Sequence, residues 1–141
     1  MNSNPKSICL LSGGLDSCVA ACYAKEETEI AAFLSVQYGQ RHSRELESAR
    51  SIANHFNHPH YLVNIPDLGD ILRMLHATAL VDVAEELPSN RRMSEMTAAV
   101  PRSYVPGRNT ILLAIAQSVA EASGADFIYC GFNAVDFSGL N

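Results

Sequence analysis

Short apolar runs alternate along this chain with longer stretches of helical pattern, and that alternation restricts the fold more than any other feature. Ser7-Ile8-Cys9-Leu10-Leu11 is an apolar run that stops at Ser-Gly-Gly, which predicts a buried strand. Asp16 to Lys25 contains no breaker and predicts a helix, and Ile30 to Val36 predicts a second buried strand. Arg44 to Phe56 places Leu46, Ala49, Ile52, Ala53 and Phe56 on one stripe with charges opposite, the pattern of an amphipathic helix. Tyr61-Leu62-Val63 predicts a third strand, and Leu68, Ile71, Leu72 and Leu75 predict a helix within Asp67 to Leu80. Val81 to Gly107, with Pro88, Pro101 and Pro106, reads mostly as loop. A helix over Asn109 to Ser123, ended by Gly124, and a fourth strand over Phe127 to Cys130 complete the series. Such alternation predicts an α/β fold, a parallel sheet with helices on both faces. Ligands in that architecture bind beyond the carboxyl ends of the strands. Three polar or glycine-rich clusters fall there: residues 12–17, 37–42 and 131–139.

The 141 residues suit one domain, since domains run to about 100–200 residues. A hydrophobic content of 48% with 18% charged residues excludes a disordered chain. No apolar run approaches the ~18 residues of a membrane span, and the start lacks a signal-peptide layout. The reading is therefore cytoplasmic, with no membrane partner. The formal net charge is −5, and basic residues cluster only at residues 41–44 and 91–92. That argues against nucleic acid as a partner, which usually meets a basic stripe. Cys9, Cys18, Cys22 and Cys130 form no CxxC pair. They read as small buried hydrophobes rather than metal ligands or a disulfide framework.

The sharpest local feature is Ser12-Gly13-Gly14-Leu15-Asp16-Ser17, between the first strand and the first helix. The glycines let backbone turn tightly and approach an anion. Free N–H groups and the dipole at a helix start favour phosphate, and Ser12 and Ser17 add hydroxyl donors. Asp16 either caps the helix or holds a magnesium ion that bridges phosphates. No Gly-Lys-Ser/Thr follows, so this is not a Walker loop. No third glycine stands where a dinucleotide fingerprint needs one.

These residues resemble the SGGxDS pyrophosphate loop of the N-type ATP pyrophosphatase superfamily. The resemblance implies an adenine nucleotide alpha-hydrolase-like fold (the HUP or PP-loop class) and ATP bound through Leu11, Ser12, Gly13, Gly14, Leu15, Asp16 and Ser17. In that superfamily a substrate oxygen attacks the α-phosphate and pyrophosphate leaves. Later segments narrow the resemblance. Tyr38-Gly39-Gln40-Arg41-His42, Val105-Pro106-Gly107-Arg108-Asn109-Thr110, and Gly131-Phe132-Asn133-Ala134-Val135-Asp136-Phe137-Ser138-Gly139 are similar, in the same order, to segments of the 7-cyano-7-deazaguanine synthase family. The family implies that Tyr38, Gln40, Arg41 and His42 contribute to the ATP site. It implies that Arg108, Asn109, Asn133, Asp136 and Ser138 meet the substrate, with Asp16 and Arg108 in catalytic roles.

Each of these residues also has a plainer reading. Tyr38-Gly39 either presents backbone to an adenine edge or makes an ordinary strand-to-loop turn. Arg41 either neutralises phosphate or is solvated, and His42 reads equally as a surface residue. Arg108 precedes a helix start, where an anion is favoured, while Asn109 also suits an N-cap. Asn133, Asp136 and Ser138 either read a purine-like edge or form an Asx-turn loop.

The activity implied is conversion of 7-carboxy-7-deazaguanine and ammonia to 7-cyano-7-deazaguanine with ATP and Mg2+, a carbon-nitrogen ligase step of queuosine biosynthesis. A homodimer is implied as well. Two other readings stand beside it, a tRNA-modifying ATP pyrophosphatase of the same superfamily and a non-catalytic ATP-binding module. Residues 1–141 read as a single PP-loop ATP-binding domain, incomplete at its C-terminus, because the chain stops within the last motif. The family's four-cysteine zinc site lies in that C-terminal part, so no metal ligand is assigned in this chain.

Overall fold

The computed structural model describes residues 4–38, 43–74 and 107–132, with Ser43 and residues 72–74 described by backbone alone. Four strands, β1 (Lys6–Leu10), β2 (Glu29–Gln37), β3 (His60–Asn64) and β4 (Phe127–Tyr129), form one sheet in the order β3-β2-β1-β4. Every pairing is parallel. The helices are α1 (Leu15–Glu27), α2 (Ser43–Phe56), α3 (Pro66–Met74) and α4 (Arg108–Ser123). The predicted elements are present with shifted ends. The part of the third predicted helix past Met74 lies outside the described residues, as does the predicted loop up to residue 106.

Parallel strands are buried on both faces, which is why β1 and β2 read as unbroken apolar runs rather than alternating ones. Ile8, Cys9, Leu10, Phe33 and Leu34 are all buried. On one face, Cys9, Leu11, Ile30 and Phe33 pack against Ala21 and Ala24 of α1 and Ala49 and Ala53 of α2. On the other, Ile8, Leu10, Ala32 and Leu34 pack against Ala116 and Ala120 of α4. Helices on both faces therefore form the layers, as the alternation predicts. All three helices present alanines to the sheet, so their backbones lie close to it and little side chain separates the layers.

The strand order explains where a site can lie. The chain steps from β1 outward to β2 and β3 with α1 and α2 on one face. It then returns to the far side of β1, and α4 covers the other face. Right-handed crossovers require this change of face when the direction of winding reverses. The reversal falls between β1 and β4, and a crevice opens there at the carboxyl ends of the strands.

Among the described residues, no helix is long and apolar enough to cross a membrane. Burial holds the Cys9 thiol up at about 11, although a hydrogen bond with Ser7 pulls the other way. Cys9 is the buried hydrophobe expected of it. Cys22 is exposed instead, on the outer side of α1, and all four cysteines are free.

His60 sits on β3 opposite Phe33 in the register. Burial, and secondarily Arg50 from α2, hold its imidazole below the ordinary value of 6.5. The fold thus prefers the neutral ring. Its contribution to stability is complete above the unfolded value and is lost as pH falls toward the lower folded value. Urea midpoints measured from pH 7 down to pH 5 are expected to fall, and His60→Gln, which cannot titrate, is expected to flatten part of that slope. An unchanged slope in the variant would count against this account.

Candidate functional site

The loop after β1 is built around two serines. Ser17 Oγ donates to the Gly14 carbonyl at 2.9 Å and accepts from Ser12 N–H at 3.3 Å and Ser12 Oγ at 3.2 Å. Gly14 N–H donates to Ser12 Oγ at 3.3 Å. Gly14 is the N-cap of α1, with extended backbone and no side-chain cap hydrogen bond. Asp16 is not the N-cap residue: it stands in the first turn of α1, past Gly14. The opening turn of α1 faces the cavity through Leu15, Asp16 and Ser17, and the dipole at a helix start favours an anion there.

Gly13 holds the loop against α2. Its φ is +87°, and a Cβ built there would lie 2.2 Å from the Glu45 carbonyl oxygen. Ser48 of α2 donates from Oγ to the Gly13 carbonyl at 2.8 Å. On the other side, the segment after β4 is pressed onto α1. A Cβ on Gly131 would lie 2.4 Å from the Asp16 carbonyl carbon and 2.5 Å from the Ser17 nitrogen. Both glycines let backbone reach backbone, and together they clamp the loop from two directions.

A cavity of about 420 Å³ lies over this loop. That is the size of a small-molecule pocket. Leu11, Ser12, Gly14, Leu15, Asp16, Ser17, Tyr38 and Arg108 of the expected site line it, so the structure brings these residues to one place. Gly13 lies behind the wall, against α2. The early residues of α1, α2 and α4 all take part: Leu15, Asp16 and Ser17, then Glu45 and Leu46, then Arg108. Three helix starts thus converge on one cavity, as a parallel α/β sheet arranges them. The partial positive ends, with the Arg108 guanidinium, make it suited to a polyanion.

Some expected residues are placed differently. Tyr38 is buried and packs with Val36, Ile65 and Leu68, so its ring supports the wall as much as it lines it. Asn109 is buried, is not part of the cavity lining, and lies one residue inside α4. It is not the N-cap. Gly107 takes that position in the left-handed conformation, and glycine adopts it without steric cost. Asn109 Oδ1 instead accepts a long 3.4 Å contact from Arg108 Nε. Gln40, Arg41, His42, Asn133, Asp136 and Ser138 lie outside the described residues.

The sequence reading singles out neither Ser35 nor Phe132, yet both line the cavity. A serine inside the apolar run Phe33-Leu34-Ser35-Val36 is the signal that could have found the first, since a buried hydroxyl needs a partner. Among the described residues there is no group of three or more His, Cys, Asp or Glu side chains able to hold a metal.

Comparison with known proteins agrees with this geometry. Residues 6–140 match the family described as "Queuosine biosynthesis protein QueC". The 7-cyano-7-deazaguanine synthase of Synechococcus elongatus is 44% identical over 135 residues, which are 95% of this chain and 55% of that protein. The protein of the same name from Prochlorococcus marinus strain MIT 9312 is 41% identical, over 96% of this chain and 58% of its own length. The chain therefore spans little more than half the length of these curated relatives. Among solved structures, an NH3-dependent NAD synthetase from Campylobacter jejuni aligns over 89% of this chain and 46% of its own, with a TM-score of 0.52 and 15% identity. An NMN synthetase from Francisella tularensis aligns over 87% of this chain and 43% of its own, with a TM-score of 0.53 and 16% identity. These two share the fold. By its match over nearly all of its residues, the chain belongs to the QueC family of queuosine biosynthesis proteins.

Proposed function

We propose that this chain is the ATP-binding part of a 7-cyano-7-deazaguanine synthase. The observation that carries the reading is the start of α1, opening into a cavity that Arg108 also lines, in a chain of this family. A carboxylate is a poor electrophile until one of its oxygens becomes part of a leaving group. In the proposed reaction a carboxylate oxygen of 7-carboxy-7-deazaguanine bonds to the α-phosphorus of ATP, and pyrophosphate leaves. Ammonia then displaces AMP at the carbonyl carbon and loses a proton, giving the amide. A second ATP activates the amide oxygen in the same way, with pyrophosphate leaving, and loss of AMP and of both protons on the amide nitrogen gives the nitrile.

The backbone N–H groups of residues 12–17 hold the departing pyrophosphate, and Arg108 offsets charge on the phosphates or the carboxylate. This is positioning and electrostatic stabilisation, with no protein nucleophile. Asp16, exposed on the cavity wall, fits magnesium, which commonly takes one or two carboxylates besides phosphate oxygens. Bound there, the ion would neutralise phosphate charge. Tyr38, Gln40, Arg41 and His42 complete the ATP site in this reading, and Asn109, Asn133, Asp136 and Ser138 the substrate side. Zinc is assigned to no residue of this chain. The partners are the small-molecule substrate, ammonia and a second copy of the protein, in the cytoplasm, without nucleic acid.

The test uses the protein at the length of its relatives, supplied with ATP, magnesium, ammonia and 7-carboxy-7-deazaguanine. Nitrile formation is expected, with Asp16→Ala and Arg108→Ala each reducing turnover at least about 100-fold, the scale of a lost transition-state charge contact. No nitrile, with turnover of a tRNA or a GMP-type substrate instead, would refute the assignment. For these 141 residues by themselves, ATP binding without turnover is the second reading, favoured by their covering 55% of the Synechococcus protein.

A further inference from the structure

A hydrogen-bond chain, buried at Ser35 and part-buried along the rest, runs from β3 to the phosphate loop. Ser35 on β2 is 5% exposed, and its Oγ donates to the Leu11 carbonyl oxygen at 2.7 Å. A hydroxyl carries one proton. The 2.8 Å contact between Ser35 Oγ and His60 Nε2 must therefore be donated by the ring, which fixes the proton of His60 on Nε2. Leu11 N–H is also engaged, donating to the Leu34 carbonyl at 2.8 Å.

The Leu11 carbonyl and the Ser12 N–H belong to one peptide unit. That unit is planar and, like every described peptide bond, trans, so its N–H and C=O point in opposite directions. Holding the carbonyl toward Ser35 aims the Ser12 N–H into the loop, where it donates to Ser17 Oγ at 3.3 Å. Ser17 Oγ donates onward to the Gly14 carbonyl. Every donor in the series points the same way, and members of such chains polarise one another.

Resting on the ATP-binding reading of the loop, we propose that Ser35 and His60 are positioning residues for the phosphates of ATP. His60 orients the Ser35 hydroxyl, and Ser35 holds the Leu11–Ser12 peptide with its N–H turned into the cradle. The 3.3 Å bond from Ser12 N–H to Ser17 is long enough to be exchanged readily for a phosphate oxygen.

ATP titrations on the full-length protein test this, with far-UV spectra and melting curves to confirm folding. Ser35→Ala is expected to weaken ATP about five- to tenfold, the scale of one net hydrogen bond. His60→Leu is expected to weaken it about threefold by the same reasoning. His60→Gln, whose amide can donate from the same place, is expected to restore affinity to within about twofold of wild type. The double variant Ser35→Ala/His60→Leu is expected to be no weaker than Ser35→Ala, since His60 acts through Ser35. Ring 15N shifts of the wild type should show the Nε2–H tautomer. Wild-type affinity in both Ser35→Ala and His60→Leu, additive losses in the double variant, or an Nδ1–H tautomer would overturn the inference. A wild-type protein that binds no ATP would instead overturn the reading of the loop on which it rests, a separate and recognisable result.

Discussion

Gly13→Ala is expected to lower ATP affinity at least about tenfold and to lower the melting temperature by on the order of 5–10 °C. Two effects act at this position together. The backbone has φ +87°, where a Cβ costs about 1–2 kcal/mol. That Cβ would also stand 2.2 Å from the Glu45 carbonyl oxygen, 3.0 Å from its carbon and 3.2 Å from the Ala49 nitrogen. All three are main-chain atoms of α2, so no side-chain rotation relieves the contact. Either α2 moves off the sheet, losing the packing of Ala49 and Ala53, or the loop moves off α2, losing the Ser48 hydrogen bond. Both routes disturb the cavity wall. Gly124→Ala separates the two effects, because Gly124 also has a positive φ, +67°, but open space around it. Its cost is that of backbone strain alone. Calorimetric melts and ATP titrations of the two variants side by side decide the matter. Equal behaviour would mean that the approach of loop to helix plays no part.

That approach is a property of three dimensions, and it marks where reading the residues in order stops being sufficient. The order of strands and helices is legible because buried parallel strands leave continuous apolar runs, as in Ile30 to Val36. Glycines mark the breaks between elements at Gly13-Gly14 and Gly124. α2 is legible from its stripe. α1 is legible only as a stretch without breakers, because Leu15, Val19 and Tyr23 are exposed and blur its two faces. The loop chemistry was legible too, since phosphate cradles are made by short contiguous segments. Pairings across the chain were not. Nothing local states that Gly131 touches Asp16, which depends on β4 pairing with β1, or that His60 reaches Ser35, which depends on β3 pairing with β2. Asn109 shows how local preference misleads. It is a favoured capping residue, but Gly107 can adopt φ +66°, and the helix begins one residue earlier with Asn109 turned into the interior.

Gly131→Ala is expected to be as damaging to ATP binding as Gly13→Ala, while disturbing the fold by a different route. Here no left-handed backbone is involved, so contact alone must account for any loss. The added Cβ would lie 2.4 Å from the Asp16 carbonyl carbon, 2.5 Å from the Ser17 nitrogen and 2.6 Å from the Asp16 carbonyl oxygen. These atoms form the first turn of α1, whose N–H groups make the proposed cradle. An ordinary carbon contact needs about 3.5–4.0 Å, so the strand end and the helix start must separate by on the order of 1 Å. β4 is short and is paired only to β1 among the described strands, so it yields more readily than the helix. The crevice between β1 and β4 then widens where the phosphates would sit, and hydrogen bonds to them weaken steeply with distance and angle. An affinity loss of at least about tenfold is expected, equivalent to about 1.4 kcal/mol. Gly124→Ala is the comparison, because its Cβ would meet nothing within 4 Å and it lies past the far end of α4, outside the cavity lining, so it should bind ATP within about threefold of wild type. Pyrophosphate titrations of both variants, which need no substrate, supply a second readout at the same loop. If Gly131→Ala binds ATP and pyrophosphate as Gly124→Ala does, the phosphates do not lie at the seam between α1 and the end of β4, and the site must be sought elsewhere along the cavity.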